Sequence, residues 1–474
     1  MSEQPGSNTD TREVIANVVY DDIEIGQSAS QVRTLSNADI QAFAALSGDV
    51  NPAHLDAAYA ENTLFHGVIA HGMWGGALIS TLLGTELPGP GTIYLEQKLQ
   101  FVKPVRVGDT LTITATVTAK DDIKKRVTLD CKIVNQNGAA VVLGSALVIA
   151  PTEKVSRPRS HLPELKLFDG AQRQQMMLAS VSHLAAIRCA VVHPCDADSL
   201  QGALDAGKQG LIIPVLVAPK AKLEQVAVSA GLDLTEIEIV DVAHSHAAAE
   251  QAVAMAAAGT VEALMKGSLH TDELMHAVVA CHALRTKRRL SHVFRFDIPM
   301  YDKTLLLTDA ALNIAPTLMD KVDILQNAIS LAHALDIPLP KVAILSAVET
   351  VTPKIASTID AAALCKMTQR QQITGAIVDG PLAFDNAISA AAARIKGIDS
   401  PVAGNADILL VPDLESGNML AKQLEYLAGA SSCGVVIGAR VPIALTSRAD
   451  GAASRVASAA LVKLLAHQYR VSAP

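Results

Sequence analysis

Two kinds of hydrophobic pattern meet in this chain, and the break between them constrains the fold more than any other feature. Up to residue 149 the apolar residues alternate in long β-branched runs, at 92–102, 111–118, 127–134 and 140–149. Alternation over such lengths marks strands with one buried face. Asn137-Gly138, between the last two runs, supplies the left-handed residues of a tight hairpin. Alternation stops in 151–164, which holds three prolines and several charges and reads as a linker. Beyond it, short apolar runs at 211–217, 342–345, 375–378, 408–411 and 434–437 take turns with helical segments. The helical segments fall at 247–258, 319–335, 358–366 and 454–467. That order is the pattern of a mostly parallel α/β sheet.

The 474 residues admit roughly two to four domains. Half are hydrophobic and only 3% aromatic. The excess is alanine and valine, as in buried parallel strands. No uninterrupted apolar stretch reaches the about 18 residues of a membrane span. A net charge of −8 gives no footing for nucleic acid. Residues 1–12 are polar and lack the apolar core of a signal peptide. The six cysteines form no Cys-x-x-Cys pair, so reduced thiols in the cytoplasm are expected. His244 and His246 lack an evident third ligand, and no metal site is expected.

The first module has one segment, 74–83, that is apolar on nearly all sides and reads as a buried helix. A single buried helix followed by a meander implies a sheet wrapped around it. Chemistry concentrates just before that helix. An acid and a histidine, Asp49 and His54, flank an Asn51-Pro52 turn after Ser47-Gly48. Gly48 allows unusual dihedrals, and Pro52 keeps Asn51 out of the α region. A stiff loop of this kind holds two proton-transfer groups toward one small volume. Asp and Asn ahead of a helix also serve simply as caps. Gly72, after His71, opens the helix, where free N–H groups point outward and polarise a carbonyl.

Taken together, Phe43, Ser47-Gly48-Asp49, Asn51-Pro52-Ala53-His54, Ala60 and His71-Gly72 resemble the signature of MaoC-like, (R)-specific enoyl-CoA hydratases. Ala53 departs from it, since the family has a branched apolar residue there. The resemblance implies a hot-dog fold over 13–150. It makes Asp49 and His54 the pair that activates water and moves a proton, and Gly72 N–H the donor to the thioester oxygen. Ser47, Asn51 and His71 are expected to meet substrate.

In the second module, ligands belong at the C-terminal ends of the parallel strands. Three runs with glycine, hydroxyl, amide or charged groups follow strand candidates: Asp379-Gly380-Pro381, Pro412-Asp413 to Gly417-Asn418, and Thr446-Ser447-Arg448. All three are expected at one rim. Arg448 offers a planar fork suited to phosphate. With Met265-Lys266-Gly267 and Leu290-Ser291-His292, these runs resemble the phosphate acetyl/butyryltransferase family over 165–474. Ser346 to Glu349 and the Asp379 run lean toward its butyryl branch.

That resemblance implies two α/β lobes, I at about 165–299 and 445–474, and an inserted II at about 300–444. It implies phosphate neutralised by Arg448 with Arg285 or Arg288, and a hydrogen bond from Ser447 to the thiolate or acyl oxygen. Asp379 and Asn418 are expected to contact substrate. The acid that follows the Ser-Arg pair in the acetyl branch is missing from Gly451 to Ser454, so the base is unassigned. The expectation is a bifunctional, homo-oligomeric acyl-CoA enzyme. Its reactants are coenzyme A thioesters and phosphate, with no bound cofactor. The alternative is one active module beside a CoA-binding or oligomerisation module.

Overall fold

The computed structural model describes residues 14–160, 168, 170–446 and 451–474. The chain divides into two compact units, Met1–Leu167 and Phe168–Pro474.

In the first unit, strands β1 (Val14–Ala16) and β2 (Ser28–Thr34) precede helices α1 (Asn37–Ser47), α2 (Pro52–Leu55), α3 (Ala57–Glu61) and α4 (Gly72–Thr85). Strands β3 (Ile93–Phe101), β4 (Thr110–Asp121), β5 (Arg126–Val134), β6 (Ala140–Ile149) and β7 (Ser156–Pro158) follow. An antiparallel sheet in the order β2-β4-β5-β6-β3 packs on α4. Leu111, Ile113, Ala115 and Val117 of β4 and Val127, Leu129, Cys131 and Ile133 of β5 turn inward against Ile79 and Leu82. Each larger side chain so buried is worth about 1.5–3 kcal/mol. This is the hot-dog arrangement expected from one buried helix and a meander.

Part of the expected linker is ordered into this unit. β7 pairs with β1. The Asn17 side chain donates to Glu153 O and accepts from Val155 N–H, both at 2.8 Å. Pro158 lies at the last position of the pair, where its missing N–H costs nothing.

The second unit carries one eleven-stranded sheet. Its strands are β8 (Ile187–Val192), β9 (Ile212–Ala218), β10 (Glu238–Asp241), β11 (Ala263–Lys266), β12 (Ser291–Asp297), β13 (Leu305–Thr308), β14 (Lys341–Leu345), β15 (Ile377–Leu382), β16 (Ile408–Leu410), β17 (Ser431–Ile437) and β18 (Ile443–Ala444). Their order is β10-β9-β8-β11-β18-β17-β12-β13-β16-β14-β15. β17 is antiparallel to both β18 and β12, and β12 is antiparallel to β13. All other neighbours are parallel. The two parallel groups therefore run in opposite directions, and their C-terminal ends lie at opposite edges of the sheet. Among the described residues no helix is long and apolar enough to cross a membrane.

Candidate active sites

In the first unit the chain builds its site from the end of α1. Gly48 stops that helix at φ 75°, donating its N–H to Ala44 O. Ser47 Oγ donates to Phe43 O and accepts from Asp49 N–H. Asp49 Oδ1 accepts from Asn51 N–H, and Asn51 caps α2 by accepting from Ala53 N–H. Ser47 and Asn51 are thus occupied in shaping the loop. Pro52 opens α2 and projects His54 from its first turn.

His54 donates Nδ1–H to Ile69 O at 2.9 Å, which leaves Nε2 to accept or give a proton. His71, buried and capping α4, donates Nε2–H to Asp49 O at 3.0 Å. Its Nδ1 is buried and has no hydrogen-bond partner among the described residues. One ligand-type atom each of Asp49, His54 and His71 lies within 4.8 Å of the others. Two imidazoles and a carboxylate at that spacing also suit a divalent cation, a use not read from the sequence. His54, His71 and Gly72 meet a cavity of about 280 Å³ walled by Trp74, Phe101 and Ile133. One polar end and apolar walls fit an acyl thioester.

In the second unit, one set of polar residues gathers where β8, β11 and β18 end. Lys266 is buried, with Nζ 3.3 Å from Gly267 O and 3.4 Å from Thr446 O. Arg455 Nη1 donates to Thr446 Oγ1 at 2.8 Å. A cavity of about 260 Å³ opens toward this edge, lined by Arg295, Asp297, Ser431, Ser432, Gly451 and Ser454. Here Arg295 donates to Asp297 at 2.6 Å.

Known proteins match each unit. Residues 22–137 match the family model "MaoC like domain", and residues 244–463 match "Phosphate acetyl/butaryl transferase". A phosphate acetyltransferase of Rhizobium meliloti is 62% identical over 283 residues, 60% of this chain and 90% of the relative. The chain belongs to the phosphate acetyl/butyryl transferase family. A phosphate butyryltransferase of Clostridium acetobutylicum is 40% identical over 280 residues, 59% of this chain and 93% of the relative. The structure of a branched-chain phosphotransacylase from Enterococcus faecalis is 32% identical, with a TM-score of 0.52. It spans 59% of this chain and 99% of that one. The acyltransferase domain is C-terminal and the MaoC-like domain N-terminal.

Within the acyltransferase domain the three expected runs do not share one rim. Thr446 leaves β18, whereas Asp413 to Asn418 follow β16, which runs the other way. Asp379 lies inside β15, where its side chain accepts from Gly380 N–H at 2.9 Å. Burial, with the nearby Asp379 charge, pushes the Cys365 thiol up to about 12. Asn418 donates to Ala310 O at 3.2 Å and steadies the turn after β13. That turn is organised by buried Asp309, which accepts from Ala311 and Leu312 N–H and Asn313 Nδ2.

Arg285 and Arg288 do come together. With Arg289 they line a cavity of about 380 Å³ walled by Met275, Leu290 and Leu312. Arg285 donates to Val279 O, and Arg288 donates to Ser330 Oγ. This cavity lies where β12 begins and β17 ends. Register places Ser291 opposite Ile437, and Arg295, at the far end of β12, opposite Cys433. At about 3.3 Å per residue, Arg288 and the level of Thr446 are roughly 20 Å apart. Ser447 and Arg448 lie outside the described residues.

Sequence reading missed His193. It follows β8 and stands beside Ser268, which follows β11. The strand ends would have revealed both, but neither strand was read.

Proposed function

We propose that the chain is a bifunctional acyl-CoA enzyme. Its N-terminal domain hydrates short trans-2-enoyl-CoA to (R)-3-hydroxyacyl-CoA. Its C-terminal domain exchanges acyl groups between CoA and phosphate. The observation that carries the hydratase reading is the clustering of Asp49, His54 and His71 within 4.8 Å beside an apolar cavity that His54, His71 and Gly72 line. The transferase reading rests on membership of the family.

In the hydratase, the Ile69 carbonyl holds His54 as the tautomer whose Nε2 has a free lone pair. A water between Nε2 and the Asp49 carboxylate gives its hydroxyl to the β-carbon. The proton taken up by the pair is delivered to the α-carbon, so the addition balances. Negative charge passes through the thioester oxygen as an enolate, and Gly72 N–H, which at the first position of α4 has no intrahelical acceptor, stabilises it. In the transferase, phosphate displaces CoA from an acyl thioester, or CoA displaces phosphate from an acyl phosphate. The barrier lies in bringing two anions together, and Arg448 and the positive edge around Lys266 lower it. Ser447 donates to the leaving or attacking group. Neither reaction calls on a bound metal or redox cofactor.

Acetyl transfer is the first choice, because the acetyl relative is the more similar, 62% against 40% identical. The lean of Glu349 and Asp379 toward the butyryl branch makes butyryl the second substrate to try. Self-association is proposed at β3, the sheet edge, where Ile93, Tyr94, Leu95 and Phe101 are exposed. Antiparallel pairing of two copies about Gln97 sets Glu96 opposite Lys98 and Ile93 opposite Phe101.

Two assays on the full chain test the reading: hydration of crotonyl-CoA, and thioester formation from CoA with acetyl or butyryl phosphate. Both activities are expected. Absence of one leaves its domain as a binding or assembly module.

A further inference from the structure

His193 is the first residue beyond β8, at an edge where parallel sheets bind ligands. β8 and β11 are parallel neighbours with Val192 opposite Lys266, and β18 flanks β11 on its other side. His193, Ser268 and Thr446 therefore leave three successive strands in one direction. His193 takes φ 52°, a left-handed conformation uncommon outside glycine, though histidine, like asparagine and aspartate, adopts it more readily than most. The surrounding bonds enforce it. Its N–H donates to Val217 O at 2.8 Å, and its carbonyl accepts from Cys195 N–H and Ser268 N–H, both at 2.9 Å. Gly267 makes this approach possible, since a Cβ there would stand 2.5 Å from Val192 O and 2.6 Å from His193 O.

The same bonds fix the imidazole. Ser268 Oγ spends its single hydrogen on His193 O at 2.8 Å. It is left as an acceptor for Cys195 N–H at 3.2 Å and for the ring at 3.1 Å. Nδ1 must therefore carry the proton, and Nε2 holds the free lone pair. Nε2 makes no hydrogen bond among the described residues. Burial, then the Lys222 charge, holds the ring below the usual histidine range against the opposing Glu273 and Asp196. Lys222 lies on the helix Lys220–Ala230 and Glu273 on Thr271–Ala280, itself facing His246. Asp196 caps Ala197–Lys208. The imidazole is neutral and oriented at neutral pH.

A transferase running toward thioester needs such a group. The attacking species is the thiolate, and a free thiol with a pKa near about 8.5 is mostly protonated at pH 7. The acid expected after the Ser-Arg pair is missing from Gly451 to Ser454. We propose that His193 is the catalytic base of the transferase, taking the CoA thiol proton on Nε2. The sulfur attacks the acyl carbonyl, the carbon–oxygen bond to phosphate breaks, and the proton returns from Nε2 to the departing phosphate. This assignment rests on the transferase reading above.

The test compares the full-length wild type with His193→Asn and His193→Gly, following thioester formation from acetyl or butyryl phosphate and CoA. Asparagine tolerates the left-handed backbone and still donates to Ser268, but has no base. Glycine fits the backbone and leaves a slot. A kcat lower by about 10²-fold or more at pH 7 is expected for both, with KM for acyl phosphate near wild type. The deficit should shrink as pH rises past the thiol pKa, and free imidazole should restore the glycine variant at least about ten-fold. If asparagine prevents folding, the glycine variant carries the test. Wild-type kcat in either variant, or a loss indifferent to both pH and imidazole, overturns the assignment. A wild type inactive with both acyl phosphates would instead overturn the transferase reading.

Discussion

The rings of His54 and His71 lie 4.0 Å apart at an interplanar angle of 33°, yet each spends a different nitrogen on the backbone. His54 uses Nδ1 on Ile69 O, and His71 uses Nε2 on Asp49 O. His71 thereby ties the Asp49 loop to the start of α4. On the proposed hydratase reading it acts through Asp49 and Gly72 as a positioning residue. His71→Phe keeps an aromatic ring, slightly larger, and removes the tie. Loss of this buried bond should lower stability by about 1–3 kcal/mol, read from chemical denaturation of the first unit's transition. Hydration should fall mainly in kcat, with acyl transfer unchanged.

On the proposed hydratase reading, Asp49 and His54 serve one proton-transfer site. Asp49→Asn preserves the carbonyl that His71 holds, and His54→Asn preserves a donor toward Ile69. Each should reduce crotonyl-CoA hydration about 10²-fold or more. The double variant should be little worse than either single, because groups acting as a unit are not additive. Near-normal hydration in His54→Asn would end the assignment.

Gly72 is not needed for its dihedrals. A Cβ there would meet the Phe101 ring at 3.1–3.3 Å. Gly72→Ala therefore displaces Phe101 or shifts the start of α4. Hydration should drop measurably, and Phe101→Leu, which removes the ring, should recover most of the loss in the double variant. Failure of that rescue would mean that the methyl group acts on the thioester directly.

The proposed β3 pairing has a charge test. Glu96→Lys sets lysine against Lys98 of the second copy and should shift the chain toward monomer in sedimentation. Lys98→Glu should do the same, and the doubly swapped chain should re-associate. Unchanged mass in all three would move the contact elsewhere.

Much of the first unit was legible because its strands show one face to a core. Alternation placed β6 at its observed bounds and β4 and β5 within a few residues. β8 and β11 were invisible for the opposite reason. All but one of their residues are buried, so Ile-Arg-Cys-Ala-Val-Val and Ala-Leu-Met-Lys carry no usable period. Asp379-Gly-Pro is expected just past the strand at 375–378, yet it lies inside β15, an edge strand, where proline is tolerated. The reversal through β12 and β17 left no mark in the composition. That reversal separates the expected rims: local patterns reveal strands, but not the edge on which each strand ends.

That separation makes the arginines distinguishable. Arg448 is two residues beyond Thr446 in the sequence, and Thr446 O lies 3.4 Å from Lys266 Nζ, whereas Arg288 lines a cavity at the start of β12 and is bonded to Ser330. If phosphate binds at the Thr446 edge, Arg448→Gln loses a charge-assisted contact of about 1.5–3 kcal/mol. That is roughly one to two decades in kcat/KM for phosphate. Arg448→Lys should recover only part, since lysine keeps the charge without the planar fork. Arg288→Gln and Arg285→Gln should leave phosphate kinetics within about two-fold, because a side chain cannot span roughly 20 Å of strand. Hydratase activity should be untouched in all four variants. Wild-type phosphate kinetics in Arg448→Gln, with a loss in Arg288→Gln, would move phosphate to the arginine-lined cavity.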